Sequence, residues 1–343
     1  MSGQAAEPTG AARRSQGGDA LQLEELLLGG KMLYTRLDTA RLSGVTLEFS
    51  ERLWRSFGFP SPPDDVVAFT EGDLTALKRI KDILDRGVLG AESQAVLLRQ
   101  VRAVGQTMAK LAEWQSSIMT GALAKATAPL DEEALGALGG LAEEFLTEME
   151  PLLLHAWRRQ LAASAARAYA NAQLQDDAMP GRPPIAVGFA DMVSFTAMSR
   201  ELDEMELGRV VERFEETCAD IVAGHGARLV KTLGDEVLYC ADSARVGVEV
   251  GLAIAEAVKD ETEVPDVRVG VAYGPVLPLM GDIFGTTVNM AARLTSIARP
   301  GTLVADPDLA GELEGDEAYD IVRIVRRPAR GLGIIQPYVI RRR

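Results

Sequence analysis

Cysteine and histidine are scarce in this chain, with two of each among 343 residues. Cys218 and Cys240 lie in apolar segments without the close spacing of metal ligands, which argues against a disulfide scaffold and against a zinc site. Basic residues are also in the minority, because 36 Lys and Arg face 50 Asp and Glu, a formal net charge of −14. General binding to nucleic acid or to an anionic membrane is therefore not expected. A reducing cytoplasm is the expected location.

Long hydrophobic runs are absent too, and no segment approaches the roughly 18 apolar residues of a membrane span. The first twenty residues lack the apolar core of a signal peptide, so a disordered tail is expected over 1–20. A hydrophobic content of 47% with 25% charged residues is ordinary for globular protein. The length leaves room for about two domains.

The first half has the periodicity of helices, with apolar residues every three or four positions from residue 21 to about 175. Thr70 followed by Asp73 forms a capping box, which predicts a helix that runs to about Arg86. A long alanine-rich helix follows from about Glu143. We expect the first half to be all-α.

The pattern changes after the cluster of Pro and Gly at 176–184. Short apolar strands then alternate with amphipathic helices in the order β-α-β-β-α-β, which is typical of an α+β ferredoxin-like fold with helices on one face of a mainly antiparallel sheet. The segments are strand IAVGFADMV, helix Leu202–Val222, strands ARLVKTL and EVLYCA, helix Arg245–Lys259, strand VRVGVAYG, helix Thr287–Ile297 and late strands TLVAD, YDIVRIV and PYVIRR.

Two carboxylates are expected at one rim of this sheet. Asp191 ends the first strand, and Asp235 occupies the turn between the next two strands. Two neighbouring carboxylates repel, and either a shared proton or a divalent cation relieves that repulsion; oxygen-only ligands suit Mg²⁺ or Mn²⁺. Asn289 and Arg293 stand four residues apart and so share one helix face, where an Arg fork suits phosphate.

Three ordered motifs, FADMVSFT, KTLGDEVLY and GDIFGTTVNMAAR, resemble the catalytic domain of class III nucleotidyl cyclases. The resemblance covers about Pro184 to the C-terminus. With the helical first half it is similar to soluble bacterial adenylate cyclases that carry an N-terminal helical regulatory domain. The expected organisation is a tail over 1–20, a regulatory domain over 21–160, a helical linker over 161–183 and a catalytic domain over 184–343.

The resemblance implies a role for each matching residue. Asp191 and Asp235 correspond to the aspartates that bind two divalent cations, with the Met192 carbonyl as a further metal ligand. Lys231 and Asp282 correspond to the pair that reads adenine. Asn289 and Arg293 correspond to the residues that orient the ribose and stabilise charge on the reacting phosphate. Arg330 corresponds to a residue that contacts substrate phosphate. Arg330 replaces the usual lysine of the family, which changes the geometry of that contact.

Adenine and guanine differ in a way that the predicted base-reading pair distinguishes. Adenine presents an acceptor at N1 and a donor at its 6-amino group, which match Lys231 and Asp282. Guanine reverses both, so we expect ATP as substrate, converted to 3′,5′-cyclic AMP and pyrophosphate. In the family the metal aspartates of one subunit face the remaining residues of its partner. The resemblance therefore implies a homodimer, formed through the catalytic domain, with two composite sites.

Other functions compete with this interpretation. LGDEV partly resembles the turn motif of diguanylate cyclases, although Leu233 and Val237 depart from it. A catalytically inactive homologue that only binds nucleotide is a further alternative. The segment from Tyr34 to Pro60 could form a helix-turn-helix around Gly44 and resembles the start of MerR-type DNA-binding domains. A DNA-binding regulator is therefore another alternative. The mixed charges of the second helix of this segment disfavour it.

The input to the regulatory domain is left open by the sequence. His155 lies on the long helix, and its ordinary pKa near 6.5 would allow a response to protons, although a partly buried packing role is the expectation. A small molecule bound between the helices is the other possibility. His225 is expected at a helix end, and Glu236 has no predicted role.

Overall fold

The computed structural model describes residues 21, 23–90, 92–124, 132–174, 182–259, 261, 264–329 and 331–343. The chain divides into two compact units, Met1–Arg167 and Ala168–Arg343. Arg330 and the Pro/Gly segment 175–181 lie outside the described residues, as does the expected tail.

Among the described residues of the first unit, the regular secondary structure is helical apart from an isolated bridge between Tyr34 and Phe69, as the periodicity predicts. Thr70 caps the third helix with its predicted box, since its side chain accepts from the Asp73 N–H and Asp73 accepts from the Thr70 N–H. The helices are α1 (Arg36–Ser43), α2 (Leu47–Phe57), α3 (Glu71–Asp85), α4 (Ser93–Ala124) and α5 (Glu132–Leu174). The last of these starts earlier than the sequence indicates and contains Pro151.

The predicted helix-turn-helix is present as α1 and α2. Gly44 between them has φ +76°, a left-handed conformation that glycine adopts without strain. Leu53 and Trp54 of α2 pack into the unit's apolar core with Leu77 of α3. The surface of α2 carries mixed charge, because Glu51 pairs with Arg55 of the same helix at 3.5 Å. This agrees with the sequence argument against a phosphate-binding helix.

His155 of α5 is exposed, so the expectation that it packs in a partly buried position is wrong. It belongs to a stretch of α5 in which nearly every side chain faces solvent. Within the described residues, no helix combines the length and the apolar character that a membrane crossing requires.

The second unit is built on a seven-stranded sheet with the order β2-β3-β1-β4-β7-β11-β8. β1 pairs antiparallel with both β3 and β4, and β2 pairs antiparallel with β3. This is the strand order of a ferredoxin-like unit, which confirms the predicted fold. The strands are β1 (Ile185–Met192), β2 (Arg228–Thr232), β3 (Glu236–Ala241), β4 (Val267–Gly274), β5 (Leu277–Leu279), β6 (Asp282–Phe284), β7 (Leu303–Ala305), β8 (Tyr319–Arg323), β9 (Arg327–Ala329), β10 (Gly333–Ile335) and β11 (Tyr338–Arg342).

Helices cover both faces of the sheet. Strand residues alternate between two apolar clusters, one packed against α7 and α8 and the other against α9. The helices are α6 (Phe195–Glu201), α7 (Glu204–Gly224), α8 (Ala244–Lys259), α9 (Thr286–Ile297) and α10 (Pro307–Glu312). The expectation of helices on one face holds for α7 and α8, whereas α9 lies on the opposite face. His225 caps the C-terminus of α7, as expected.

The contact between α8 and the sheet depends on a buried tyrosine. Tyr239 of β3 lies fully buried and donates a hydrogen bond from its hydroxyl to the Gly247 carbonyl of α8 at 2.9 Å. A Cβ at Gly188, its partner in β1, would overlap the Tyr239 ring. The absence of a side chain at this position therefore makes room for the ring.

We expect Gly188→Ala to lower the free energy of unfolding by about 1–3 kcal/mol, because the added methyl overpacks a closed core. Gly208→Ala is the matched control, since Gly208 lies on the exposed side of α7 with no atom within 4 Å of an added Cβ. The Gly208→Ala change should leave the free energy of unfolding unchanged or raise it by up to about 1 kcal/mol. Denaturant unfolding of both variants measures the difference, and equal effects would contradict this account of the packing.

Candidate active site

The two predicted metal aspartates lie at the same edge of the sheet. Asp191 is the penultimate residue of β1, and Asp235 lies in the turn before β3. The Met192 N–H donates to the Asp235 carbonyl at 2.8 Å, which ties the end of β1 to this turn. Gly234 has φ +74°, and this left-handed residue allows the turn to close beside β1. The rim that the sequence predicts is formed within a single chain.

Asp191 is flanked by charged residues in its strand register. Glu236 of β3 is its partner on one side and Arg268 of β4 on the other. The Arg268 Nε donates to the Asp191 carboxylate at 2.5 Å. Burial raises the pKa of Asp191 above its ordinary value, the charge of Asp235 adds to that effect, and Arg268 opposes it. The ionised carboxylate at this position therefore needs positive charge beside it.

Arg268 was not among the predicted site residues. It interrupts the apolar run of VRVGV, a signal that the sequence contains, but its relation to Asp191 depends on the β1–β4 register. Glu236, which had no predicted role, is partly buried at the same rim. Its pKa is raised by burial and then by the charges of Asp191 and Asp235. Negative charge is thus concentrated at this edge.

The donor set fits a divalent cation of the Mg²⁺ or Mn²⁺ type. Asp191 and Asp235 offer only oxygen ligands. Burial first, and then the charge of Asp235, raise the pKa of Asp191, and a divalent cation would favour the ionised carboxylate. Among the described residues, no group of three or more His, Cys, Asp or Glu side chains could hold a metal. A cation here would therefore be held by two carboxylates together with backbone oxygens, water or substrate phosphate.

The predicted base-reading residues are in contact. Lys231 of β2 donates from Nζ to the Asp282 carboxylate of β6 at 2.6 Å, and the other carboxylate oxygen accepts from the Ile283 N–H at 2.8 Å. Burial alone would raise the pKa of Asp282, but these hydrogen bonds and the lysine charge outweigh it and lower the pKa. The pair is partly exposed, with 39% and 28% of the two side chains accessible. It thus presents one donor group and one acceptor group to solvent.

Asn289 and Arg293 lie on the outer side of α9, and both are exposed. Their side chains make no hydrogen bond or ion pair with the residues that the structure describes. One copy of the chain therefore places the two aspartates at one sheet edge and joins Lys231 to Asp282. The side chains of Asn289 and Arg293 have no partner among the described residues. The remaining predicted contact, Arg330, lies outside the described residues.

Known proteins resemble this chain along most of its length. An adenylate cyclase of Streptomyces coelicolor is 40% identical over 350 residues, which cover 94% of this chain and 90% of that protein. An adenylate cyclase of Glutamicibacter nicotianae is 38% identical over 330 residues, covering 92% and 80%. The crystal structure of the adenylyl cyclase CyaB from P. aeruginosa is 20% identical with a TM-score of 0.42, covering 47% of this chain and 94% of that chain.

The family described as adenylate and guanylate cyclase catalytic domain matches residues 178–341. This range contains the sheet, the two aspartates, the Lys231–Asp282 pair and α9. The resemblance that the three sequence motifs indicate is confirmed by the family match and by the two relatives. The chain belongs to the class III nucleotidyl cyclase family.

Proposed function

We propose that this chain is an adenylate cyclase that converts ATP to 3′,5′-cyclic AMP and pyrophosphate. The observation that carries the proposal is the contact between Lys231 of β2 and Asp282 of β6 at 2.6 Å, in the same unit that holds Asp191 and Asp235. The relatives named above as adenylate cyclases support the same activity. A nucleotide whose base lies against this pair in one copy and whose phosphates lie near the two aspartates of a second copy would use both features.

Lys231 and Asp282 read the base by hydrogen-bond polarity. The ammonium donates to adenine N1, and the carboxylate accepts from the 6-amino group. The hydrogen bond from the Ile283 N–H fixes the Asp282 carboxylate before the base arrives. GTP presents a donor and an acceptor in the reverse order, so both protein groups would lose their partners.

The reaction is an intramolecular phosphoryl transfer. The ribose 3′-oxygen forms a bond to the α-phosphorus while the bond from that phosphorus to the pyrophosphate oxygen breaks, and the 3′-hydroxyl proton is released. Asn289 orients the ribose, and the Arg293 guanidinium stabilises the charge on the reacting phosphate. When bound at Asp191 and Asp235, Mg²⁺ or Mn²⁺ would supply Lewis acidity that favours loss of the 3′-hydroxyl proton and departure of pyrophosphate.

The active unit in this proposal is a homodimer with two composite sites. In one copy, the side chains of Asn289 and Arg293 are exposed without hydrogen-bond partners among the described residues, although each suits a ribose or a phosphate. Asp191 and Asp235 of one copy would act with Lys231, Asp282, Asn289 and Arg293 of the other. The Met192 carbonyl would add a metal ligand, and Arg330 would contact substrate phosphate.

The helical first unit is proposed to regulate the catalytic unit. Residues 21–160 form the regulatory domain in this proposal, and 161–183 form the linker to the catalytic domain at 184–343. The regulatory signal is a small molecule or a proton. His155 is exposed to solvent and could bind the proton. The expected location is the cytoplasm.

The proposed function is tested by incubating the purified full chain with Mn²⁺ and either ATP or GTP. We expect cyclic AMP and pyrophosphate in equal amounts from ATP. Because each unpaired group costs about 1–3 kcal/mol, kcat/KM for GTP should be lower by at least about 30-fold. Nucleotide binding without product would instead identify an inactive homologue, and a preference for GTP would contradict the assigned base-reading pair.

A further inference from the structure

Helix α9 lies on β4 at a glycine that allows no side chain. Gly270 faces Ala291 and Thr295 of α9. A Cβ at Gly270 would lie 2.5 Å from the Ala291 carbonyl oxygen and would overlap the Thr295 backbone nitrogen. Because both are backbone atoms, a side-chain rotation cannot make room, and only a shift of the whole helix could.

A second contact of the same kind lies at the end of β4. A Cβ at Gly274 would lie 2.7 Å from the Thr287 Oγ1, and this hydroxyl donates to the Pro275 carbonyl at 2.9 Å. The four residue steps from Gly270 to Gly274 along the strand span about 13 Å. The eight residue steps from Thr287 to Thr295 along the helix span about 12 Å. The two contacts therefore match in length and set both the height and the tilt of α9 on the strand.

Thr295 also connects α9 to β1. Its side chain is buried, and its hydroxyl lies 2.9 Å from the Ala291 carbonyl oxygen and 3.5 Å from the Phe189 carbonyl oxygen. Phe189 stands two residues before Asp191 on the same strand. The inner side of α9 is thus fitted to two strands, one of which carries a predicted metal ligand.

The outer side of α9 carries the residues assigned to ribose and phosphate. Successive helix residues are rotated by about 100°, so Asn289 and Arg293 each lie about 160° around the helix from Ala291. They point away from β4 while Ala291 faces it. Any displacement of α9 from the strand therefore moves both side chains by a similar distance.

We propose that Gly270 and Gly274, with Thr287 and Thr295, form a helix seat that positions Asn289 and Arg293 for phosphoryl transfer. These four are positioning residues, since their contacts are with each other and with backbone. The proposal rests on the proposed cyclase function. It adds that the absence of a side chain at Gly270 and Gly274 of β4 is required for the chemical step.

The first test compares kinetic constants. A displacement of about 1 Å can lower the rate by about 100-fold, so Gly270→Ala should lower kcat for ATP by about that factor. KM should change by less than about threefold, because Lys231 and Asp282 lie on β2 and β6. A large rise in KM with kcat preserved would overturn the proposal.

A steric rescue at the second contact keeps the test decisive if Gly270→Ala does not fold. Gly274→Ala should lower kcat by about tenfold, a smaller loss because the obstructing atom belongs to a side chain. Adding Thr287→Ala removes that atom, so kcat of the double variant should return to within about threefold of Thr287→Ala alone. Failure of the second change to restore kcat would overturn the seat.

Mixed dimers assign the defect to one half of the composite site. Gly270→Ala chains mixed with Asp191→Ala chains should regain activity, because one site then combines intact aspartates with an intact α9. Gly270→Ala mixed with Asn289→Ala should gain nothing, because every site then has an altered α9. The opposite pattern would overturn the proposal by placing the defect with the aspartates.

Asp191→Ala mixed with Asn289→Ala is the control for the proposed function itself. Recovery in this control with no recovery in either Gly270→Ala mixture would mean that the variant is misassembled, and failure of Thr287→Ala to rescue Gly274→Ala would then reject the helix seat. If the control fails as well, the composite arrangement is wrong. In that case the kcat of the Gly274→Ala and Thr287→Ala series still decides for or against the seat.

Discussion

Asp191→Asn is expected to lower kcat for cyclic AMP formation by about a thousandfold or more. The substitution keeps the shape of the side chain but removes the charge that would hold a divalent cation, and the Lewis acidity of such an ion is worth several kcal/mol. Asp191 is partly buried beside Asp235 and Arg268, so no solvent-exposed carboxylate can replace it. Activity and Mn²⁺ binding should fall together.

Asp320→Asn provides the matched control for this charge removal. Asp320 is an exposed carboxylate on β8, the edge strand farthest from β2 in the sheet order. Steady-state kinetics and a Mn²⁺ titration of both variants should show a loss in Asp191→Asn and near-normal behaviour in Asp320→Asn. A fully active Asp191→Asn enzyme would remove this residue from the metal site.

Arg293→Ala is expected to lower kcat by about 100- to 1000-fold with little change in KM. A preorganised donor aimed at developing charge contributes this much, and its contribution arises mainly in the transition state. Arg293→Lys should recover only part of the rate, because an ammonium keeps the charge without the planar fork. Kinetic constants for both substitutions, with ATP and Mn²⁺, measure this difference.

The fold should tolerate the loss of this arginine. The Arg293 side chain is exposed and makes no hydrogen bond or ion pair with any residue in the described part of the chain, so the thermal midpoint should stay within about 1 °C of the unaltered protein. Arg299→Ala, an equally exposed change just beyond α9, should keep normal kcat. Equal losses in the two alanine variants would contradict a specific role for Arg293.

Local sequence signals predict much of this structure. The capping box at Thr70 and Asp73 places the start of α3, and the short apolar runs of β1 and β3 place those strands. The Gly234–Asp235 turn also lies where its sequence predicts. In each case the determining interactions join residues that are close in sequence, so a single segment contains the information.

Features that depend on the register of distant segments cannot be predicted from local sequence patterns. Arg268 meets Asp191 only because β1 and β4 are neighbours, 77 residues apart in the chain. The side of the sheet that α9 occupies follows from the fit of Ala291 and Thr295 to Gly270, which no local pattern reveals. The exposure of His155 likewise depends on what packs against α5, and helical periodicity does not specify it.

The most direct test of the proposed enzyme mixes two inactive chains, Asp191→Ala and Asn289→Ala, and measures cyclic AMP formed from ATP and Mn²⁺. Each variant alone should have little activity, since every site of its homodimer lacks one required group. Random pairing gives one intact site in half of the dimers, so the mixture should regain about a quarter of the unaltered activity. A verified heterodimer that forms no cyclic AMP would contradict the composite adenylate cyclase site.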